Sequence, residues 1–177
     1  SILDVGCGKN SPIRLLKFDC HKVGVDLFQK YINESKKRNI HDEYHKVNIL
    51  KIDKQFKKKS FDCVIALDVI EHLTKIDGLS LIKKMTNLAK KKVIIFTPNG
   101  FCAQKDEENP FQEHKSGWSV KDFRNINYAV IGINGVKFLR KEKSQLKFHP
   151  HYFWLFVSDI TQIFTKTHPH WAYQLLC

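Results

Sequence analysis

The chain has 177 residues, 42% of them apolar and 27% charged, which excludes the disordered and fibrous classes and leaves one domain, residues 1–177, with a substantial core. Thirty Lys and Arg stand against 18 Asp and Glu, a formal net charge of +12, but the lysines are scattered (Lys36, Lys37, Lys57 to Lys59, Lys83, Lys84, Lys90 to Lys92), so nucleic acid is a possible partner that the sequence does not favour. Five cysteines without a C-x-x-C pair exclude a disulfide framework or zinc ribbon and point to reduced thiols in a cytoplasmic protein, and no apolar run reaches the ~18 residues of a membrane span.

Ile2 to Val5 reads as a buried parallel strand that breaks into the turn Gly6-Cys7-Gly8, with a helix expected over Pro12 to Phe18. The chain opens at Ser1, without Met and already inside this strand, so a natural N-terminal segment is expected ahead of it. Lys22 to Leu27 is a second strand ending in Asp26, followed by a helix-compatible stretch from Gln29 to Arg38. Tyr44 to Leu50 gives a third strand with Asn48 near its end, and Lys51 to Ser60 a lysine-rich connection. Phe61 to Leu67 is a fourth, nearly continuous apolar strand ending at Asp68. Leu79, Leu81, Ile82, Met85 and Leu88 have helical spacing, and Lys91 to Thr97 is a fifth strand stopped by Pro98-Asn99-Gly100. Apolar strands alternating with helices mean a parallel sheet covered on both faces.

The last third differs. Phe101 to Gly117 is too long for a plain connector and carries Gln104, Glu113 and His114, so it is a candidate functional loop, with Trp118 just beyond. Ser119 is placed to cap a helix reaching Ile126, Tyr128 to Ile133 reads as a sixth strand, and Val136 to Lys147 is basic and solvated. Phe153, Phe156, Val157, Ile160 and Phe164 recur at helical spacing. That face is expected to pack on the sheet, with covering a pocket or resting on a membrane as the alternatives. Trp171 to Cys177 is a plausible last strand.

In an open parallel sheet, ligands bind beyond the carboxyl ends of the strands. Gly6 to Gly8, Asp26, Asn48, Asp68 and Asn99 all fall there. Glycine tolerates positive φ and lets a ligand approach the backbone. Asp26 lies 20 residues beyond Gly6, where one strand-helix-strand unit brings a carboxylate beside the turn and a ribose diol can donate to it. The run Gly6-Cys7-Gly8-Lys9-Asn10-Ser11 lacks the third glycine of a pyrophosphate site, which points to a nucleoside without a pyrophosphate.

These residues resemble the class I S-adenosylmethionine-dependent methyltransferases, of the type 11-like kind. Leu3-Asp4-Val5-Gly6-Cys7-Gly8 looks like the family's first motif, Gly24-Val25-Asp26-Leu27 like its acidic second, Phe61 to Leu73 like its fourth, and Phe96 to Gly100 like the segment closing its fifth strand. The resemblance implies an α/β, three-layer Rossmann-like sandwich whose seven-stranded, mostly parallel sheet has the order 3-2-1-4-5-7-6 with the last strand antiparallel. It implies S-adenosylmethionine as cofactor and S-adenosylhomocysteine as product. Contacts would come from Asp4, Gly6, Cys7, Gly8, Asp26, Leu27, Asn48, Ile49, Leu67 and Asp68. Asn48 stands where the family often has Asp, and Asn10 where a third glycine is frequent.

The expected activity is methyl transfer to an O or N atom of a small-molecule acceptor, with no metal and with His114, Asp68 and Glu71 as candidates for acceptor chemistry. Two alternatives stand beside it. Asp68, Glu71, His72 and His114 resemble the metal-binding pattern of the small-RNA 3′-terminal 2′-O-methyltransferases, where a divalent ion would polarise an RNA hydroxyl. A non-catalytic, methyltransferase-like binding domain is the other. No feature of the sequence fixes an oligomeric state.

Overall fold

The computed structural model describes residues 1–104, 109–141 and 145–177. Seven strands run β1 Ile2–Val5, β2 Lys22–Asp26, β3 Glu43–Lys46, β4 Phe61–Leu67, β5 Ala89–Pro98, β6 Ile131–Val136 and β7 Ala172–Leu176. They form one sheet of order β3-β2-β1-β4-β5-β7-β6, with β7 antiparallel to both β5 and β6. The helices are α1 Gln29–Lys37, α2 Ile52–Gln55, α3 Lys75–Leu88, α4 Val120–Arg124 and α5 His151–Thr167. The chain divides into two compact units, one of Ser1–Ile70 and Thr74–Ile95, the other of Glu71–Leu73 and Phe96–Cys177.

In the first unit the apolar runs become the central strands. Leu3, Val5, Val25, Val64 and Ala66 are fully buried, and β1 pairs in parallel with both β2 and β4. Helix α3 lays Leu81, Ile82, Met85 and Leu88 into the core, each worth about 1.5–3 kcal/mol on burial. It starts at Lys75, earlier than the apolar spacing alone suggests, because Thr74 caps it: the Thr74 hydroxyl accepts from the Asp77 N–H at 3.2 Å.

Two other boundaries differ from expectation. The helix expected over Pro12 to Phe18 is a single 3₁₀ turn, Pro12–Leu15, in which only Ile13 is buried while Leu15 and Phe18 face solvent. Without a second buried apolar position nothing extends it. Strand β3 ends at Lys46, and Asn48 caps a 3₁₀ turn, Ile49–Lys51, by accepting from the Leu50 N–H at 2.9 Å.

In the second unit, the end of β5 pairs with β7 through Phe96, Thr97 and Pro98. Helix α4 carries a full capping box between Ser119 and Asp122, as the Ser119 cap implies, and buries Val120 and Phe123. The sixth strand starts three residues later than expected because the Tyr128 N–H still closes the helix end on the Phe123 carbonyl. Its pairing with β7 is interrupted between Ile133 and Val136, where Asn134 and Gly135 take positive φ. The basic stretch from Val136 contains a 3₁₀ turn, Lys137–Leu139, that buries Leu139. Residues 105–108 of the long loop and 142–144 of the basic stretch lie outside the described residues.

Helix α5 departs furthest from expectation. Its buried residues are Ser158 and Thr165, while Phe153, Phe156, Ile160 and Phe164 are exposed. The polar face lies on the sheet and the apolar face turns outward. No helix among the described residues is long and apolar enough to cross a membrane. All five cysteines are free thiols.

Candidate active site

In the first unit the candidate residues gather at the turn after β1. Gly6 and Gly8 take φ of +71° and +57°, in the left-handed region that disfavours other residues. The N–H groups of Gly6 and Cys7 both donate to the Val25 carbonyl, at 2.8 and 3.0 Å, so the turn is stitched to β2. The two glycines serve different ends. A Cβ on Gly6 would lie 2.8 Å from Val69 Cγ2, whereas one on Gly8 would meet no atom within 4 Å. Gly6 is packed; Gly8 is an open ledge.

Asp26 holds that ledge in place. Its Oδ2 accepts from the Gly8 N–H at 2.9 Å and its Oδ1 from the Phe28 N–H at 2.8 Å. Each carboxylate oxygen retains a lone pair for a further donor. Burial raises the Asp26 carboxyl above its ordinary value, against the lowering effect of the backbone N–H groups of Phe28 and Gly8.

Asp4 and Cys7 sit beneath the turn. Asp4 is 1% exposed and its Oδ2 lies 2.9 Å from His41 Nε2, a buried pair that joins β1 to the segment ahead of β3. Burial, with Asp4 and Asp26 nearby, pushes the Cys7 thiol far above its usual range, so it is an inert packing group. Leu27 and Asn48 are exposed and Ile49 and Leu67 partly so. Asp68 is exposed at φ +53°, a conformation that costs a non-glycine residue about 1–2 kcal/mol, at the carboxyl end of β4.

A separate cluster of candidate residues belongs to the second unit. Glu71 and His72 are buried on a 3₁₀ turn, and the long loop brings His114 to them. Glu71 Oε2 accepts from the Thr97 hydroxyl at 3.0 Å, and its backbone carbonyl accepts from the N–H groups of Lys115 and Ser116 at 2.7 and 3.0 Å. The rings of His72 and His114 meet edge to face with centroids 4.7 Å apart. His72 Nδ1 contacts the Glu113 carbonyl at 3.3 Å and His114 Nδ1 the Cys102 carbonyl at 2.5 Å. A carbonyl only accepts, so both Nδ1 atoms carry the proton in these contacts, which makes Nε2 the acceptor nitrogen of each ring. Burial lowers the His114 pKa, partly offset by the Cys102 carbonyl.

Ligand atoms of Glu71, His72 and His114 all lie within 4.8 Å of one another. Asp68 is not one of that group. The loop is held by Trp118, fully buried, whose indole N–H donates to Ser116 Oγ at 3.0 Å. A Cβ on Gly117 would lie 2.5 Å from the Phe101 nitrogen, so the chain can cross there only as glycine. Asn99, at the end of β5, is structural: its amide donates to the Ala172 carbonyl at 2.8 Å. Thr97 and His41 were not legible as site residues, since a lone Thr in an apolar strand and a His in a turn carry no pattern.

A family model described as a methyltransferase domain matches residues 3–97, more than half of the chain. An uncharacterized protein of Methanocaldococcus jannaschii is 25% identical over 138 residues, covering 78% of this chain and 59% of its own length. This chain therefore spans less than two thirds of that relative. Among solved structures, an S-adenosylmethionine-dependent methyltransferase from Archaeoglobus fulgidus superposes with a TM-score of 0.63 over 99% of this chain and 84% of that one, at 15% identity. The magnesium protoporphyrin IX methyltransferase of Synechocystis PCC 6803 with bound S-adenosylmethionine superposes at 0.53 over 71% of this chain and 55% of its own, at 22% identity. With the motifs at residues 3–8 and 24–27 and the strand order 3-2-1-4-5-7-6 in place, the chain belongs to the methyltransferase-domain family of class I S-adenosylmethionine-dependent methyltransferases.

Proposed function

We propose that this chain transfers a methyl group from S-adenosylmethionine to an O or N atom of a small-molecule acceptor, in the reducing environment of the cytoplasm. The observation that carries the reading is the Gly8 ledge: a left-handed glycine with open space where a side chain would stand, fixed to the Asp26 carboxylate. The residues fit the cofactor. The backbone of Gly6 to Gly8 would take the methionine part and the ribose, Asp26 the ribose hydroxyls, and Leu27, Asn48, Ile49 and Leu67 the adenine, with Asp68 closing the end of β4. Asp4 acts through the turn, since its carboxylate faces His41.

When bound, the cofactor supplies a methyl group on a positively charged sulfur, activated for in-line displacement. The protein then has to align an acceptor, exclude water and take the proton a hydroxyl or amine loses. His114 is suited to that last task. Its lowered pKa keeps it neutral at neutral pH, and its Nδ1–H is anchored on Cys102, which leaves Nε2 as the base. Glu71, oriented by Thr97, is the second candidate. Calorimetry with S-adenosylmethionine tests the reading: micromolar binding is expected, and no binding up to millimolar concentration removes it. Turnover with a panel of hydroxyl and amine acceptors separates an enzyme from a binding domain.

One observation favours a metal-assisted variant. Glu71, His72 and His114 converge, and both histidines have Nδ1 on a carbonyl, the outer contact that orients metal-binding imidazoles. A divalent ion there would polarise an acceptor hydroxyl, such as an RNA 2′-hydroxyl. Elemental analysis of protein purified without chelator decides it: one ion per chain, lost in His114→Ala, supports the variant, and no ion refutes it.

A further inference from the structure

Helix α5 is fixed with its polar side inward. Gln162 Oε1 accepts from the Gly135 N–H at 3.0 Å, Gln162 Nε2 donates to the Gly132 carbonyl at 2.8 Å, and Thr161 Oγ1 accepts from the Val136 N–H at 3.1 Å. These side chains occupy backbone groups of β6, the edge strand of the sheet. The approach is close enough to require glycine, since a Cβ on Gly132 would lie 2.2 Å from the Thr165 carbonyl oxygen and one on Gly135 2.4 Å from that of Ser158. The helix cannot roll to hide its other side.

That other side is a single stripe of Phe153, Phe156, Ile160, Ile163 and Phe164, between 48% and 77% exposed, with Tyr152 at one end and Trp171 just past the other. Apolar patches of this extent on a soluble surface mark an interaction site. Its surroundings are basic. Between 136 and 171 the sequence carries six Lys or Arg against two acids, and Lys137, Lys141 and Lys147 line an open groove together with Phe138 and Trp171.

We propose that the outward stripe of α5 docks this chain on an anionic lipid bilayer, lying in the interface and not crossing it. Charge selects this occupant. A second copy would bring two chains of +12 together through the same basic region, whereas anionic headgroups offer the opposite sign. Phenylalanine and isoleucine on one face, with Tyr and Trp at the ends and lysines alongside, suit the headgroup and acyl boundary. At 17 residues with no apolar span, α5 is built to rest on the surface. The inference does not depend on the methyltransferase reading.

Flotation of the purified chain with vesicles tests it. Binding is expected to phosphatidylcholine vesicles containing phosphatidylglycerol, to weaken at high salt, and to be at least about tenfold weaker for pure phosphatidylcholine. The double variant Phe156→Glu, Ile163→Glu should lose vesicle binding at least about tenfold while keeping the parent melting temperature, because neither side chain is in the core. Lys137→Glu, Lys147→Glu should lose it while keeping the apolar stripe. No flotation with anionic vesicles, or equal binding by parent and variants, overturns the proposal. So does a dimer in sedimentation velocity that Phe156→Glu, Ile163→Glu dissolves, which would assign the stripe to a second copy.

Discussion

Replacing Gly8 by alanine separates a ligand ledge from an ordinary turn. Gly8 sits at φ +57°, which costs alanine about 1–2 kcal/mol, and the new methyl group meets no protein atom within 4 Å, so no packing term adds to it. For a chain of this size each kcal/mol lowers the melting temperature by roughly 2–4 °C, a small and measurable loss. The methyl would stand on the ledge itself, where the cofactor must approach the backbone, and a loss of at least about tenfold in affinity is expected, about 1.4 kcal/mol. Gly6→Ala is the contrasting variant. It has the same kind of strain at φ +71° plus a contact of 2.8 Å with Val69 Cγ2, which adds about 1–3 kcal/mol of overpacking. Thermal melts should therefore rank Gly6→Ala as the more damaged fold. Calorimetry with S-adenosylmethionine should show Gly8→Ala, well folded, as a poor binder. A Gly8→Ala protein that melts a few degrees lower and binds with the parent affinity would refute the assignment of the ledge.

Asp26→Ala should weaken S-adenosylmethionine binding by tenfold or more, since it removes both the ribose acceptor and the group that fixes the Gly8 N–H. Cofactor affinity should fall on acidification, because binding uses the ionised carboxylate and burial has raised its pKa above the ordinary 3.8; Asp26→Asn should flatten that profile when titrated by calorimetry. Thr97→Val removes the hydroxyl that donates to Glu71 Oε2 and should cost about 1–3 kcal/mol in urea unfolding, with kcat reduced more than KM once an acceptor is found. His41→Ala removes the hydrogen-bond partner of the buried Asp4 side chain and should cost about 1–3 kcal/mol, read by denaturant midpoint.

The parallel half of the fold is legible because its signals are local. Nearly continuous apolar runs such as Phe61 to Leu67 mark strands of a covered sheet, and glycine at positions 6 and 8 with a carboxylate at 26 is a spacing that one strand-helix-strand unit imposes. The supports of the site are not local. His41 meets Asp4 across 37 residues and Thr97 meets Glu71 across 26, and neither residue differs by itself from any other Thr or His in the chain. The convergence of His114 on Glu71 and His72 lies between. The long polar loop marks His114 as a candidate, but only the buried Trp118 and the glycine crossing at 117 show how the loop is held against the turn that carries the other two.

Helix α5 shows what periodicity leaves undetermined. Helical spacing of Phe153, Phe156, Ile160 and Phe164 identifies a stripe, and hydrophobicity assigns that stripe to the core. The residues that decide the matter are elsewhere. Gly132 and Gly135 strip β6 of side chains where a neighbour would pack, which leaves a surface of bare peptide groups. Peptide groups are satisfied by hydrogen-bonding side chains and not by phenylalanine, so the opposite stripe, Ser158, Thr161, Gln162 and Thr165, turns inward. A strand with glycines three positions apart, followed by a helix with hydroxyls and an amide at 158, 161, 162 and 165, therefore specifies an inverted helix. The polar face, read together with the strand it meets, is the determinant, and the apolar stripe is displaced outward because the backbone of β6 takes the other side.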